Sequence, residues 1–331
     1  MGPMTRARVS AASDSRTPQD VSFLRRDLLA LGDLDAGEIR ALLHETARFA
    51  PIANKTDKPL DVLKGRTVAT MFLEDSTRTR TSFTLAARRL GADVIDLSGS
   101  SSSISKGESL IDTVRTIEAM GIDALVVRAK PNGAAELVAK HAGCPVINAG
   151  DGCHEHPTQG LIDCFALAES QGRLETFDLS GLRVLIVGDV AHSRVARSAV
   201  AGMTKLGAQV TCVGTPALAP KSLSALGCGV SHDLDSLLAE ADGVMMLRVQ
   251  FERNASIASA REYRAACGLT RERAGRMKPG AVVMHPGPMN RGLEIDGDVA
   301  DSERSVVLRQ VSVGVAVRMA ALKLCTDNAR T

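Results

Sequence analysis

The stretch Phe72-Leu-Glu-Asp-Ser-Thr-Arg-Thr-Arg-Thr-Ser-Phe83 joins an apolar run, Val68 to Phe72, to an amphipathic segment that continues to Leu90. A strand turning into a helix here leaves several backbone N–H groups without intrahelical partners, aimed beyond the helix N-terminus. At that point Ser76, Thr77, Arg78, Thr79 and Arg80 supply three hydroxyls and two guanidiniums. Arginines at a helix start oppose the helix dipole, so two of them predict an anionic partner, either a phosphate or a carboxylate. Arg78 and Arg80 lie two residues apart and point to roughly opposite sides of a helix. Arg78 is therefore the expected ligand and Arg80 the brace. The plain alternative is an ordinary N-cap with solvated arginines.

Outward from this unit the same alternation repeats. Strands are predicted over 67–73, 93–97, 124–127 and 146–147, with helices over 35–49, 79–90, 108–120 and 133–141. A second set follows the helix 157–170: strands 183–187, 209–213, 243–247 and 281–284, with helices 193–206 and 233–239. Short β-rich runs alternating with helices predict βαβ units and parallel sheets. The fold class read here is α/β, with two domains, each a parallel sheet flanked by helices. A last helix over 302–324, apolar on most faces, is expected to pack back on the first domain.

With 331 residues the chain has room for two domains of about 100–200 residues each. The balance of 40 Lys+Arg against 38 Asp+Glu, with no Trp and one Tyr, excludes a broad nucleic-acid footprint or a base-stacking surface. Seven cysteines without a framework spacing predict reduced thiols and a cytoplasmic setting. No apolar run approaches membrane-span length. The polar segment 1–21 is expected to be a disordered tail without a signal-peptide core.

In open α/β sheets ligands bind beyond the carboxyl ends of strands, so the residues that follow each strand form the functional scan. They are Ser76–Arg80, Arg128, the run 151–159, the run 189–194, Arg248-Val-Gln250 and the run 285–291. The Gly/Ser-rich loop 98–108 carries Lys106 and suits a lid over an anion, or else a mobile linker. Cys153, His154 and His156 fit no zinc spacing, so no metal is expected. His156 stands before Pro157, a residue favoured at the first helical position, and is placed to donate to a carbonyl oxygen, with Gln159 one residue beyond Thr158. A capping histidine is the alternative. The run Val184 to Arg194 keeps only Gly188 of a dinucleotide fingerprint, which excludes that cofactor. Arg194 and the pair Arg248 and Gln250 instead offer forks for carboxylates, or surface ion pairs. His285-Pro-Gly-Pro288 is a rigid turn presenting backbone carbonyls. Together these residues describe catalysis by orientation and oxyanion stabilisation.

Ser76-Thr-Arg-Thr-Arg80, Lys106-Gly-Glu108, His156-Pro-Thr-Gln159, His192-Ser-Arg194, Arg248-Val-Gln250 and His285-Pro-Gly-Pro288 together resemble the aspartate/ornithine carbamoyltransferase family, in its aspartate branch, over about residues 22–326. The resemblance implies transfer of a carbamoyl group from carbamoyl phosphate to L-aspartate, giving N-carbamoyl-L-aspartate and phosphate, the committed step of pyrimidine synthesis. It assigns the phosphate to Ser76, Thr77, Arg78 and Thr79, and the carbamoyl oxygen to Thr79, Arg128 and His156. It assigns the carbamoyl amide to Gln159 and the backbone at Pro286 and Gly287, with Pro288 adjoining. Arg194, Arg248 and Gln250 would hold the aspartate carboxylates. Ser102, or a neighbour within 101–103, and Lys106 would enter from an adjacent subunit of a homotrimer, with Lys106 also reaching the aspartate. No metal or organic cofactor is implied. The domains implied are a carbamoyl-phosphate half, 22–157 completed by 302–326, and an aspartate half, 158–301. The ornithine branch, whose later motif has Cys at the place of Gly287, and a non-catalytic scaffold are the alternatives. A regulatory chain or a dihydroorotase partner is left open.

Overall fold

The computed structural model describes residues 22–55, 59–98, 108–249 and 259–329. The expected tail 1–21, the expected lid with Ser102 and Lys106, and Gln250 lie outside these residues.

Four strands, β1 (Thr67–Phe72), β2 (Asp93–Ser98), β3 (Ala124–Ala129) and β4 (Val146–Asp151), form a parallel sheet in the order β2-β1-β3-β4. Five more, β5 (Arg183–Val187), β6 (Gln209–Val213), β7 (Gly229–Ser231), β8 (Gly243–Met246) and β9 (Val282–Met284), form a second parallel sheet in the order β7-β6-β5-β8-β9. The central strands are buried almost throughout, as their continuous Val, Leu, Ile, Ala and Met runs require when helices cover both faces. In each sheet the strand order reverses once, between β1 and β3 and between β5 and β8. Crevices open at such reversals, so residues 73–80 and Arg128 in one sheet, and 188–194 and Arg248 in the other, stand where a ligand is admitted.

The helices are α1 (Ala36–Phe49), α2 (Thr77–Arg89), α3 (Leu110–Glu118), α4 (Ala134–His141), α5 (Pro157–Ser170), α6 (Arg194–Lys205), α7 (Ala260–Cys267), α8 (Arg271–Gly275), α9 (Gly297–Ala300) and α10 (Val307–Asn328). Asp35 and Glu38 close α1 with a reciprocal capping box. Helix α5 joins the halves and is buried from Pro157 to Ala168. It lies so close to α6 that a Cβ on Gly160 would sit 2.8 Å from the Ser198 carbonyl oxygen. That approach, with Ser198 Oγ accepting from His156 N at 2.8 Å, brings the N-termini of α5 and α6 to one place. Helix α10 returns from the chain end to pack on α1, α2 and α5.

Three expectations are corrected. The helix predicted over 233–239 is a run of turns ending in a short 3-10 segment, Leu238–Glu240. There Asp233 and Ser231 take up local backbone groups, Ser236 N donating to Asp233 Oδ1 at 3.2 Å, and this competes with helix formation. The last helix starts at Val307, not at 302, because Val306 N donates to Val283 O at 3.0 Å and Ser305 bridges to the β9 edge. Not every apolar face of that helix packs: Leu308 and Val311 are 83% and 56% exposed. Strand β7 and helix α7 are additional; α7 is opened by Ser259, whose hydroxyl accepts from Glu262 N.

Candidate active site

The two sheet reversals and the N-termini of α2, α5 and α6 line one cavity of about 590 Å³. It brings together Ser76, Thr77, Arg78, Thr79, Arg128, His156, Gln159, Arg194, Arg248, Pro286, Gly287 and Pro288. Every sequence-predicted site residue within the described segments is therefore in it, and Asp75, Asp189 and His192 join them.

At one end α2 begins at Ser76, whose hydroxyl makes no cap to the helix. The helix N-terminus and its hydroxyls thus remain available to an anion. Burial, and then the charge of Arg248, hold the Arg78 guanidinium below its ordinary range, and no carboxylate among the described residues offsets them. A carbonyl-rich turn meets Arg78 here. Gly287 has φ +63°, a left-handed conformation, and a Cβ on it would overlap the Arg78 guanidinium. His285 holds this turn: Nδ1 accepts from Gly287 N at 2.8 Å, and Nε2 lies 3.3 Å from buried Glu294. Arg80 leaves the cavity and pairs with Asp96 at 3.7 Å, as its opposite direction on the helix predicted.

A carboxylate inside the opening stretch, Glu74, organises the other arginines. Arg128 Nε donates to Glu74 Oε1 at 2.7 Å, and Arg194 NH2 donates to the same oxygen. Arg128 also reaches Ala149 O at 3.1 Å, and Arg194 reaches Gly152 O at 3.2 Å. Glu74 thereby ties the β3 end of one half to the α6 start of the other. Sequence reading passed over it because its role appears only when Arg194, 120 positions away, arrives. Asp189 Oδ1 lies 2.8 Å from His192 Nδ1, so the residues before Arg194 also carry their own pair.

His156 occupies the N-cap position of α5 without a side-chain cap bond, so the capping reading is set aside. Its ring is buried, and its Nδ1 has no hydrogen-bond partner among the described residues. Burial, followed by the charges of Arg128, Arg194, Arg318 and Arg78, holds its pKa well below the usual imidazole range. The ring is neutral at physiological pH, so it can donate a hydrogen bond without adding a fifth positive charge. Arg318, on α10, was also missed. It is buried, bonded to Ser82 Oγ at 3.0 Å and Gly314 O at 2.8 Å, and stands over the Phe83 ring. Burial and the neighbouring Arg128 and Arg78 push its pKa down to about 9. Gln159 Nε2 donates to Asp163 Oδ1 at 2.8 Å. His154 pairs instead with Asp151 at 3.1 Å, away from His156. Among the described residues no group of three or more His, Cys, Asp or Glu is placed to hold a metal ion.

Comparison with known proteins bears on this geometry. Residues 26–169 match the aspartate/ornithine carbamoyltransferase carbamoyl-P binding domain, and residues 180–325 match the Asp/Orn binding domain of the same family. The chain is 52% identical over 304 residues to the aspartate carbamoyltransferase catalytic subunit of Thermobifida fusca, covering 91% of this chain and 96% of that protein. It is likewise 52% identical over 303 residues to that of Myxococcus xanthus, with 91% and 99% covered. Among solved structures it resembles aspartate transcarbamoylase from Trypanosoma cruzi in complex with N-(phosphonacetyl)-L-aspartic acid, with a TM-score of 0.81, 29% identity, and 92% and 97% of the two chains covered. It also resembles ornithine carbamoyltransferase from Pyrococcus furiosus, with a TM-score of 0.79, 31% identity, and 92% and 98% covered. With two family domains spanning both sheets and the cavity between them, the chain belongs to the aspartate/ornithine carbamoyltransferase family.

Proposed function

We propose that this chain transfers the carbamoyl group of carbamoyl phosphate to L-aspartate. The observation that carries the reading is the cavity itself: a helix N-terminus with Arg78, which no carboxylate among the described residues offsets, shares it with Arg194 and Arg248 from the opposite sheet. Such a site holds a phosphate on one side and carboxylates on the other. A substrate ending in an ammonium, as ornithine does, would instead bring a cation against those arginines.

In this reading Ser76, Thr77, Arg78 and Thr79 hold the phosphate, while Thr79, Arg128 and neutral His156 face the carbamoyl oxygen. Gln159, the backbone at Pro286 and Gly287, and adjoining Pro288 hold the carbamoyl amide. Arg194, Arg248 and Gln250 hold the aspartate. The α-amine attacks the carbamoyl carbon, a C–N bond forms, negative charge gathers on the oxygen, and the bond from carbon to the phosphate oxygen breaks. The departing phosphate takes the amine proton, so the protein supplies orientation and charge stabilisation and no side-chain base. The carbamoyl-phosphate half comprises 22–157 with 302–326, and the aspartate half 158–301. Lys106 and Ser102 come from a neighbouring subunit of a homotrimer, and the product enters pyrimidine synthesis in the cytoplasm. Among the described residues no helix is long and apolar enough to cross a membrane.

A colorimetric ureido assay tests this. Product is expected with aspartate and not with ornithine; folded protein that forms none from aspartate overturns the reading. Mixing inactive Lys106→Ala and Arg78→Ala chains is expected to restore some activity through hybrid trimers, whereas verified hybrids without activity would place each site within one chain.

A further inference from the structure

Behind Gln159 lies a buried polar chain that the catalytic reading leaves unused. Asp163, one helical turn further along α5 and fully buried, accepts two hydrogen bonds at a single oxygen. Gln159 Nε2 and Gln310 Nε2 both donate to its Oδ1 at 2.8 Å. Gln310, buried on α10 and outside the cavity lining, turns its Oε1 to His285 N at 3.0 Å. His285 in turn holds Gly287, whose turn lines the cavity. The directions in this chain are not interchangeable. A backbone N–H can only donate, so Gln310 presents Oε1 to His285 and its amide nitrogen to Asp163. Asp163 Oδ1 accepts whether or not the other carboxyl oxygen carries a proton. Gln159 must therefore point its nitrogen back at Asp163, which leaves Oε1, on a side chain that lines the cavity, without a partner among the described residues.

We infer that Asp163 is a positioning residue: it fixes the amide of Gln159 so that Oε1 accepts from the N–H₂ of a bound carbamoyl group, and through Gln310 it holds the 286–288 turn in register with that acceptor. The inference deepens the carbamoyl-transfer reading and rests on it. Removal of the polarity at Asp163 frees Gln159 to flip and turn an N–H toward the ligand's own N–H₂. Asp163→Leu does so at about the same size, whereas Asp163→Asn would not, because Gln310 holds the Asn oxygen where Oδ1 stood and that same oxygen still accepts from Gln159.

Two probes separate this role from a merely structural one: inorganic phosphate, and phosphonoacetamide, a stable phosphonate bearing a primary amide. Titration calorimetry of folded Asp163→Leu is expected to give unchanged phosphate binding and an affinity for phosphonoacetamide lowered about tenfold, the size of one lost or misdirected hydrogen bond. KM for carbamoyl phosphate should rise, while KM for aspartate stays the same. Wild-type affinity for phosphonoacetamide in the variant, or an equal loss for both probes, overturns the inference. If Asp163→Leu does not fold, Gln310→Met carries the same test, with the same two probes and a smaller selective loss; no selective loss there overturns it as well. Wild-type protein that binds neither probe would instead remove the carbamoyl-transfer reading.

Discussion

Two kinds of arginine face the cavity, and they differ in what balances them. Arg128 and Arg194, one from each half, share the Glu74 carboxylate and use further donors on backbone carbonyls. Arg78 is exposed to the cavity beside another cation and has no such carboxylate among the described residues. The compensated pair holds the halves together and fixes where its remaining donors point. The uncompensated arginine, open to the cavity, keeps its donors for an incoming anion. Positioning and affinity are thus supplied by different residues of the same type.

Arg78→Ala tests the contrast most severely. Loss of a donor to a developing or transferred anion is expected to lower kcat/KM about 10²–10³-fold. Stability should stay level, since an exposed side chain with no carboxylate partner among the described residues is removed; a clear fall in the thermal midpoint would refute the division drawn here. Glu74→Gln should behave in the opposite sense. It leaves two largely buried guanidiniums without their anion, and the expected cost is about 3 kcal/mol in chemical denaturation. If that variant unfolds at the wild-type denaturant midpoint, Glu74 does not join the halves.

A buried carboxyl held by two amides extends the comparison. Burial raises Asp163 to about 7 from 3.8, against the hydrogen bonds from Gln159 and Gln310. Between these two values the folded state holds a proton that the unfolded state has released, so Asp163's contribution to stability is lost as pH rises through the window. The titratable group that senses its charge is adjacent Cys164, whose thiol burial pushes up first. Asp163→Asn cannot ionise, so its melting temperature relative to wild type should be higher at pH 8 than at pH 5. An identical difference at both pH values would show that the carboxyl does not titrate there. The smallest effect belongs to Arg80→Ala: its pair with Asp96 is 3.7 Å long and about two-fifths exposed. The expected cost is about 0.5 kcal/mol or less, with kcat/KM unchanged. Loss of activity would mean that Arg80 shares the role given to Arg78.

Legibility in the sequence followed the range of each interaction. The strand–turn–helix unit around Ser76, the helix start at Pro157 and the runs 183–187 and 209–213 were readable, because periodicity and helix-start chemistry act over a few residues. The helix expected over 233–239 was lost to Asp and Ser side chains that take up the backbone locally, and the start of α10 was moved by a bond from Val306 to the distant β9 edge. Glu74 stood in the very stretch that revealed the anion site, yet nothing local distinguishes it from solvated Asp75.

What the sequence determined by itself was the class of fold, the anion-binding chemistry and which side chains follow each strand, since these depend on neighbours along the chain. What only the tertiary structure decided was their balance: that Arg194 meets Glu74 across 120 positions, that Gln310 meets Asp163 across 147, and that His156 is buried among four arginines and stays neutral. The reason is physical. Compensation of a charge and the pKa of a ring depend on distance and solvent exclusion in space, and neither is a property of spacing along the chain.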